Sequence, residues 1–198
     1  MKKQLLITVF LASTALPATA SDFYVSADLG QSELDIDAED GGYSGTDTAF
    51  SLGAGYKLSE TFALELAYRD LGDVNQSISE TFGNGDFLRF SYDTSVTAFQ
   101  ASVVAQLPLS NTFALYGRLG AGYLKAKTDY EFETVVSNLT HFNAGSSSAS
   151  DSKTKAVFGV GFKYMLSQSF ALRAEYNQYD EWDEAKISSA TVGLTYQF

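Results

Sequence analysis

The chain has 198 residues, no cysteine and a formal net charge of −11. That length suits one domain, the missing thiols exclude disulfides and thiolate metal sites, and the acidity opposes nucleic-acid binding. Aromatic residues reach 14 %, as 15 Phe, 12 Tyr and one Trp, beside 16 Gly and 2 Pro, a mixture that favours strands over helices.

Met1, Lys2 and Lys3 form a positive start, an apolar run follows from Leu5 to Leu16, and Ala18-Thr19-Ala20 is an A-x-A cleavage site. This is the pattern of a cleaved secretory signal peptide over residues 1–20. Its apolar run is too short to cross a bilayer as a helix. The mature chain is then expected to be one domain, residues 21–198. In it 11 basic residues face 24 acidic ones, a net charge of −13.

From there period-two alternation dominates. Phe23, Val25, Ala27 and Leu29 alternate with Ser26, Asp28 and Gly30. Phe50, Leu52, Ala54, Tyr56 and Leu58 alternate with Ser51, Gly53, Gly55 and Lys57. A short segment, Leu58-Ser59-Glu60-Thr61-Phe62-Ala63-Leu64, leads into Leu64, Leu66 and Tyr68 against Glu65, Ala67 and Arg69. The same segment recurs as Leu109-Ser110-Asn111-Thr112-Phe113-Ala114-Leu115 and as Leu166-Ser167-Gln168-Ser169-Phe170-Ala171-Leu172. Each copy is a tight turn between two alternating runs. The remaining runs are Phe99 to Leu107, Leu115 to Tyr123, Phe158 to Tyr164, Leu172 to Tyr176 and Ala190 to Phe198. Alternation places one apolar and one polar or small face on every strand. Eight strands result.

The other connections, about 35–46, 72–93, 131–152 and 180–186, are long and polar and are expected to be loops. Gly83-Asn84-Gly85-Asp86 marks a hairpin tip whose strands are expected to project past the membrane, and Gly145-Ser146-Ser147-Ser148-Ala149-Ser150 a flexible tip. Short turns at one end and long loops at the other is the outer-membrane barrel pattern. The alternative, a soluble eight-stranded barrel, would turn its polar face outward. Two features oppose it. The polar face is rich in Gly53, Gly55, Gly120, Gly122, Gly159, Gly161 and Gly193, which suit a crowded lumen. The apolar face carries aromatics, with Phe62, Phe113 and Phe170 at one depth, as in an interfacial girdle. The expected fold is therefore all-β, an eight-stranded antiparallel up-and-down transmembrane barrel. Both termini are expected on the short-turn side.

The signal peptide, Phe23-Tyr24-Val25-Ser26-Ala27, Gly53-Ala54-Gly55-Tyr56, Leu66-Ala67-Tyr68-Arg69-Asp70-Leu71-Gly72 and the terminal Leu194-Thr195-Tyr196-Gln197-Phe198 together resemble the OmpA-type outer-membrane barrel family. The resemblance implies a bacterial outer-membrane location, with termini in the periplasm and long loops outside. It implies that Tyr196 and Phe198 are read by the outer-membrane assembly machinery. The chain stops at Phe198, so the peptidoglycan-binding domain that follows many such barrels is expected to be absent.

Five charges fall on the polar face: Glu65, Arg69, Arg118, Arg173 and Glu175. Counted from the repeated turns, Glu65, Tyr116 and Arg173 share one depth, and Ala67, Arg118 and Glu175 another. Charges in a water-poor interior must pair. They form either a structural plug or a switchable gate. The only histidine, His141, with Ser137 and Glu133 nearby, would be the candidate of a lipid A-modifying enzyme, but the spacing matches no catalytic pattern. Asp35, Asp37 and Glu39 imitate an EF-hand start, yet Asp40 stands where glycine is required and Thr46 where the closing Glu is. No catalytic residue, cofactor or metal site is implied. The sequence reading is a non-enzymatic monomeric barrel with a structural or surface-interaction role through its loops. Its partners are outer-membrane lipid and lipopolysaccharide, the assembly machinery and an extracellular ligand. A narrow gated pore and a lipid A-modifying enzyme are the alternatives.

Overall fold

The threefold repeat is a turn with its own side-chain clamp. In the computed structural model, which describes residues 22–36, 43–81, 87–136, 139–181 and 185–198, the amides of Thr61 and Phe62 donate to Ser59 Oγ at 3.2 and 3.0 Å. Ser110 and Ser167 accept the equivalent pairs, with Phe113 N and Phe170 N both at 3.0 Å. The amides of Leu58, Leu109 and Leu166 close each turn onto the carbonyls of Phe62, Phe113 and Phe170 at 2.8, 2.9 and 2.8 Å. Every copy therefore needs Ser at its second position, because the hydroxyl takes up amides that the turn removes from the ladder.

These turns join eight strands: β1 Phe23–Ile36, β2 Tyr43–Lys57, β3 Phe62–Thr81, β4 Phe87–Pro108, β5 Phe113–Val136, β6 Leu139–Met165, β7 Phe170–Tyr179 and β8 Ala185–Gln197. Each pairs antiparallel with its sequence neighbours, and β1 pairs with β8 from Tyr24↔Gln197 to Ile36↔Ala185, so the sheet closes on itself. Closure leaves no unpaired edge in hydrocarbon. The amide of Phe198 donates to Phe23 O at 3.2 Å, which ties the start of β1 and Phe198 together at the short-turn end of the barrel.

The alternation resolves as the side-chain pattern requires. Leu66, Phe99 and Val192 point outward and are 67 %, 65 % and 66 % exposed. Glu65, Arg69, Arg118, Arg173 and Glu175 point inward and are buried. A contiguous apolar exterior of this extent is a surface for lipid.

The strands expected to run on toward residues 83–86 do so, and the third and first expected loops are corrected. β3 and β4 stay paired from Asp73↔Ser95 out to Thr81↔Phe87, and β5 and β6 out to Val136↔Leu139. Ser146–Ser150, expected as a flexible tip, lies within β6 opposite Lys127–Glu131. Serine is compatible with a ladder whenever the facing strand supplies the backbone partners. The first connection is also shorter than expected, since Asp35 pairs with Ser44 and Glu33 with Thr46. Residues 83–86, Asp37, Glu39, Asp40 and the leader 1–20 lie outside the described residues. Beyond the barrel rim, β3–β6 thus continues as a four-stranded sheet.

At the rim Gly72 has φ 82° and the register of β3 shifts by one between Asp70 and Asp73. This is a bulge that only glycine adopts at low cost. Leu71 before it is buried, and Asp73 beyond it is exposed. The Gly72 amide donates to Asp70 Oδ1 at 3.0 Å and the Asp73 amide to Asp47 Oδ2 at 2.6 Å.

Candidate functional site

The interior is filled in three layers. Nearest the short turns lie Tyr24, Ala63, Val104 and Tyr116. Next comes the charged layer. Nearest the rim is an apolar layer of Leu71, Val96, Ala98, Leu124, Val157, Tyr179 and Ile187, with Leu34 and Ala126 packed against it.

The charged layer holds three carboxylates and three guanidinium groups. Glu175, on β7, accepts from Arg69 Nη2 at 2.6 Å and from Arg118 Nη2 at 2.9 Å. It also accepts from Tyr116 Oη at 2.8 Å and Asn177 Nδ2 at 2.6 Å. Glu65, on β3, accepts from Arg118 at 2.6 Å, from Arg173 at 3.2 Å and from Tyr24 Oη at 2.9 Å. Arg173 forks onto Asp28 through Nε and Nη2, both at 2.5 Å, while Ser51 Oγ donates to Asp28 Oδ2 at 2.5 Å. Arg118 thus bridges the two glutamates, and the cluster is electrically neutral. Bidentate pairing of this kind is the strong form of the ion pair, and neutrality is what makes its burial tolerable. Arg69 Nε and Arg118 Nη1 are left without a protein acceptor.

All five expected lumen residues therefore meet, and the contacts Glu65–Arg173 and Arg118–Glu175 join residues expected at one depth, although these sit in different ladder rows. Glu65 pairs laterally with Ser102, and Ser102 with Gly120, whereas Tyr116 pairs with Gly161 and Arg173 with Gly193. Closing a barrel staggers each strand against the next, so equal distance from a turn does not mean equal ladder row. The charges meet across the lumen rather than along the sheet.

Asp28, Tyr24, Asn177 and Lys163 were missed as members. The glycines carried a signal for three of them. A Cβ at Gly55 would lie 2.1 Å from Tyr24 Cζ, one at Gly193 2.3 Å from Asp28 Oδ1, and one at Gly159 2.4 Å from Asn177 Oδ1. Inward glycines mark where a neighbour's long side chain crosses. Lys163 is buried below the charged layer, 5.0 and 5.3 Å from the ring centres of Tyr24 and Tyr116, with Gln106 Oε1 at 3.3 Å. Those ring faces supply a cation–π setting.

The projecting sheet has two unlike faces. Its outer face holds a groove of about 720 Å3 whose polar lining includes Ser91, Asp93, Asp129, Glu131, Ser146 and Ser148. On the other face Phe90 packs against Tyr92 and Tyr130, with ring centres 6.3 and 6.2 Å apart. At the rim, burial and then the neighbouring carboxylates of Asp93, Asp70 and Asp47 push the Asp73 carboxyl above its ordinary value. Ser137 and the side chains of Glu133 and His141 lie outside the described residues. At the other end Tyr196 packs on Phe198 and on Phe170, with ring centres 5.0 Å apart in both pairs. Among the described residues no group of three or more His, Cys, Asp or Glu is placed to hold a metal ion.

The sequence profile described as outer membrane protein beta-barrel domain matches residues 5–198. No curated protein matches the chain at a significant level. Among solved structures, Ail of Yersinia pestis is 20 % identical, over 89 % of this chain and 99 % of that one, with a TM-score of 0.55. Neisserial surface protein A is 14 % identical, over 89 % and 97 %, with a TM-score of 0.57. The N-terminal barrel of Pseudomonas aeruginosa OprF is 16 % identical, over 87 % and 97 %, with a TM-score of 0.47. At these identities Ail and the neisserial protein are likenesses of fold.

Proposed function

Because this chain belongs to the outer membrane protein β-barrel family over residues 5–198, we propose that it is a closed, non-enzymatic barrel of the bacterial outer membrane. Its projecting β3–β6 sheet is its interaction surface. In this reading residues 1–20 are removed on export, the short turns and both termini face the periplasm, and the sheet stands outside. The barrel acts as a monomer.

One observation carries the reading: a charged layer and an apolar layer cross the lumen between the short turns and the rim. Six mutually paired charges are sealed by an apolar layer on one side and by Tyr24 and Tyr116 on the other. An eight-stranded barrel is only wide enough for its own side chains, and an apolar layer across it resists ions as well as water. What is left for recognition is the sheet beyond the rim, held by paired backbone and carrying one acidic and one aromatic face. A rigid scaffold presenting polar surface to solvent is the usual seat of binding.

The test is conductance of the refolded mature protein in planar bilayers, wild type against Arg118→Ala. A silent bilayer with heat-modifiable gel mobility, which reports a folded barrel, is expected for wild type. Discrete wild-type openings that change with Arg118 would replace the plug by a gated pore. Altered lipid A that reverts with His141→Ala would replace it by an enzyme.

A further inference from the structure

The projecting sheet has two edges, and they are not alike. β7 ends on β6 at Val157↔Tyr179, and the amide of Asp180 then donates to Ala156 O at 2.9 Å. Above Val157, β6 has no strand partner on that side among the described residues. The N–H and C=O of one residue point to the same side of a strand, and the side alternates from residue to residue. Ala156 sets the count, so Ser152, Ser150, Ser148 and Ser146 turn their main-chain groups to the open edge. The Ser152 amide is taken by Asp151 Oδ1 at 2.8 Å. The ladder with β5 stays regular up to Ser146↔Glu131 and shifts register beyond it. Residues 146–151 are therefore an exposed open stretch, bounded below by Asp151 and Asp180 and above by the irregularity. The stretch holds no lysine and no proline, the residues that commonly blunt such an edge. At the other edge the β1–β2 hairpin covers the start of β3: Asp47 Oδ2 accepts the Asp73 amide at 2.6 Å, and Ser32 Oγ donates to Leu71 O.

The side chains beside this edge select what can pair with it. Ser146 shares a row with Glu131, Ser91 and Ser77, Ser148 with Asp129, Asp93 and Asn75, and Ser150 with Lys127, Ser95 and Asp73. The first two rows line the groove of about 720 Å3 on the outer face. Lys127 Nζ is already paired with Asp129 Oδ2 at 2.7 Å, and Arg89 stands opposite Glu133 in the ladder. Asp73, Asp93 and Glu131 are exposed and have no cation against them among the described residues. The face is thus left with uncompensated negative charge. A strand added to β6 would lie two spacings, about 10 Å, from β5. The side chain standing between is a serine, short enough for a lysine or arginine opposite Ser146 to pass over it and meet Glu131.

We infer that the β6 edge at residues 146–151 docks an extended, basic segment of a partner protein, added antiparallel as a fifth strand of the projecting sheet. The N–H and C=O groups of Ser146, Ser148 and Ser150 supply the main-chain bonds, which are indifferent to sequence. Selection comes from lysine or arginine at alternate positions of the segment, pointing into the acidic groove. The inference rests on the reading of the projecting sheet as the interaction surface. A second copy of this chain does not suit the edge, because its own β3 and β6 edges carry the same carboxylates and like charges would meet across the join.

The refolded mature protein, in micelles of an uncharged detergent, is titrated into a labelled peptide of about seven residues in which lysine alternates with threonine or valine. Binding is read by fluorescence anisotropy, and saturable binding is expected. Methylating the peptide amides that would face β6 should weaken it at least about 10-fold, since the main-chain bonds are lost and the charge is kept. Exchanging the lysines for glutamates should abolish it. Ser148→Pro removes an amide that the β5–β6 ladder does not use, so the barrel should fold and binding should again fall at least about 10-fold. Glu131→Gln should weaken it about 5-fold, the upper range for an exposed ion pair. Ser79→Pro, at the β3 edge, should leave it unchanged. Equal binding of the methylated peptide or by Ser148→Pro would reduce the effect to charge alone and overturn the inference, as would a loss on Ser79→Pro. Heat-modifiable mobility is recorded for every variant, and the peptide comparisons need only wild type, so they decide the matter even where Ser148→Pro does not fold. A silent, folded barrel that binds no probe defeats this site alone, whereas wild-type channel openings or altered lipid A defeat the reading it rests on.

Discussion

Replacing Arg118 by Met removes the one cation that touches both buried glutamates. Glu175 keeps Arg69, Tyr116 and Asn177, and Glu65 keeps Arg173 and Tyr24. What is lost is neutrality, since three carboxylates then face two guanidinium groups in a layer where Arg118 is 4 % exposed. An unbalanced buried charge costs about 3–5 kcal/mol. Glu175→Gln produces the opposite imbalance and a similar loss. The double variant has two carboxylates against two guanidinium groups, so it should lose less than the sum of the singles by about 2 kcal/mol or more, within the range for contacting charges. The assay is urea unfolding of the refolded mature protein in lipid vesicles at pH 7, followed by gel mobility and circular dichroism. Single losses that add to within about 0.5 kcal/mol would show that the groups do not interact. A loss below about 1 kcal/mol for Arg118→Met, the range of exposed pairs, would mean that the layer is solvated, and the plug would fall with it.

Glycine substitutions should split sharply. A Cβ at Gly120 would lie 2.2 Å from the backbone oxygen of Ala101, whereas one at Gly117 meets nothing within 4 Å. Gly120→Ala should therefore cost about 1–3 kcal/mol or more, and Gly117→Ala should be neutral or slightly stabilising, both read from urea midpoints. The Asp73 carboxyl is raised in the folded state, so the native chain holds its proton more tightly than the unfolded one. Stability contributed there is present at low pH and falls as pH rises through the raised value. Asp73→Asn should raise the urea midpoint at pH 7, and the gain should vanish below the ordinary Asp value of about 3.9; a gain that persists unchanged at low pH would contradict the electrostatic origin. Phe198→Ala should refold in vitro nearly as well as wild type but give less assembled barrel in the envelope, measured as the heat-modifiable fraction of membrane extracts.

Much of this was legible because a barrel repeats its constraints. The clamp at Ser59, Ser110 and Ser167 serves one geometry three times, so the turns announce themselves. Inward charges stand out among alanine and glycine. Asp28 did not, because β1 carries no copy of the repeat to set its depth and its partner Arg173 is 145 positions away. The apolar layer under the rim was hidden for a different reason. Leu71, Leu124 and Ile187 are buried on the face that elsewhere is polar, so an apolar residue there looks like an outward one shifted by one. The extent of β5 and β6 was misjudged because serine and acidic residues carry little strand preference, yet the facing strand satisfies their backbone regardless.

The bulge at Gly72 bears on how the projecting sheet can diversify. Along a paired strand every side chain has a fixed address, set by counting in twos from the rim. A substitution there rewrites one address and leaves the others in place. Inserting a single residue reverses every address beyond it and exchanges the acidic face for the aromatic one, unless a second bulge restores the count. Adding a matched pair to each strand of a hairpin lengthens the sheet by about 7 Å and preserves both faces. Descendants of this chain should therefore differ beyond Gly72 by substitutions and by even steps in length. Odd steps should be accompanied by a new glycine.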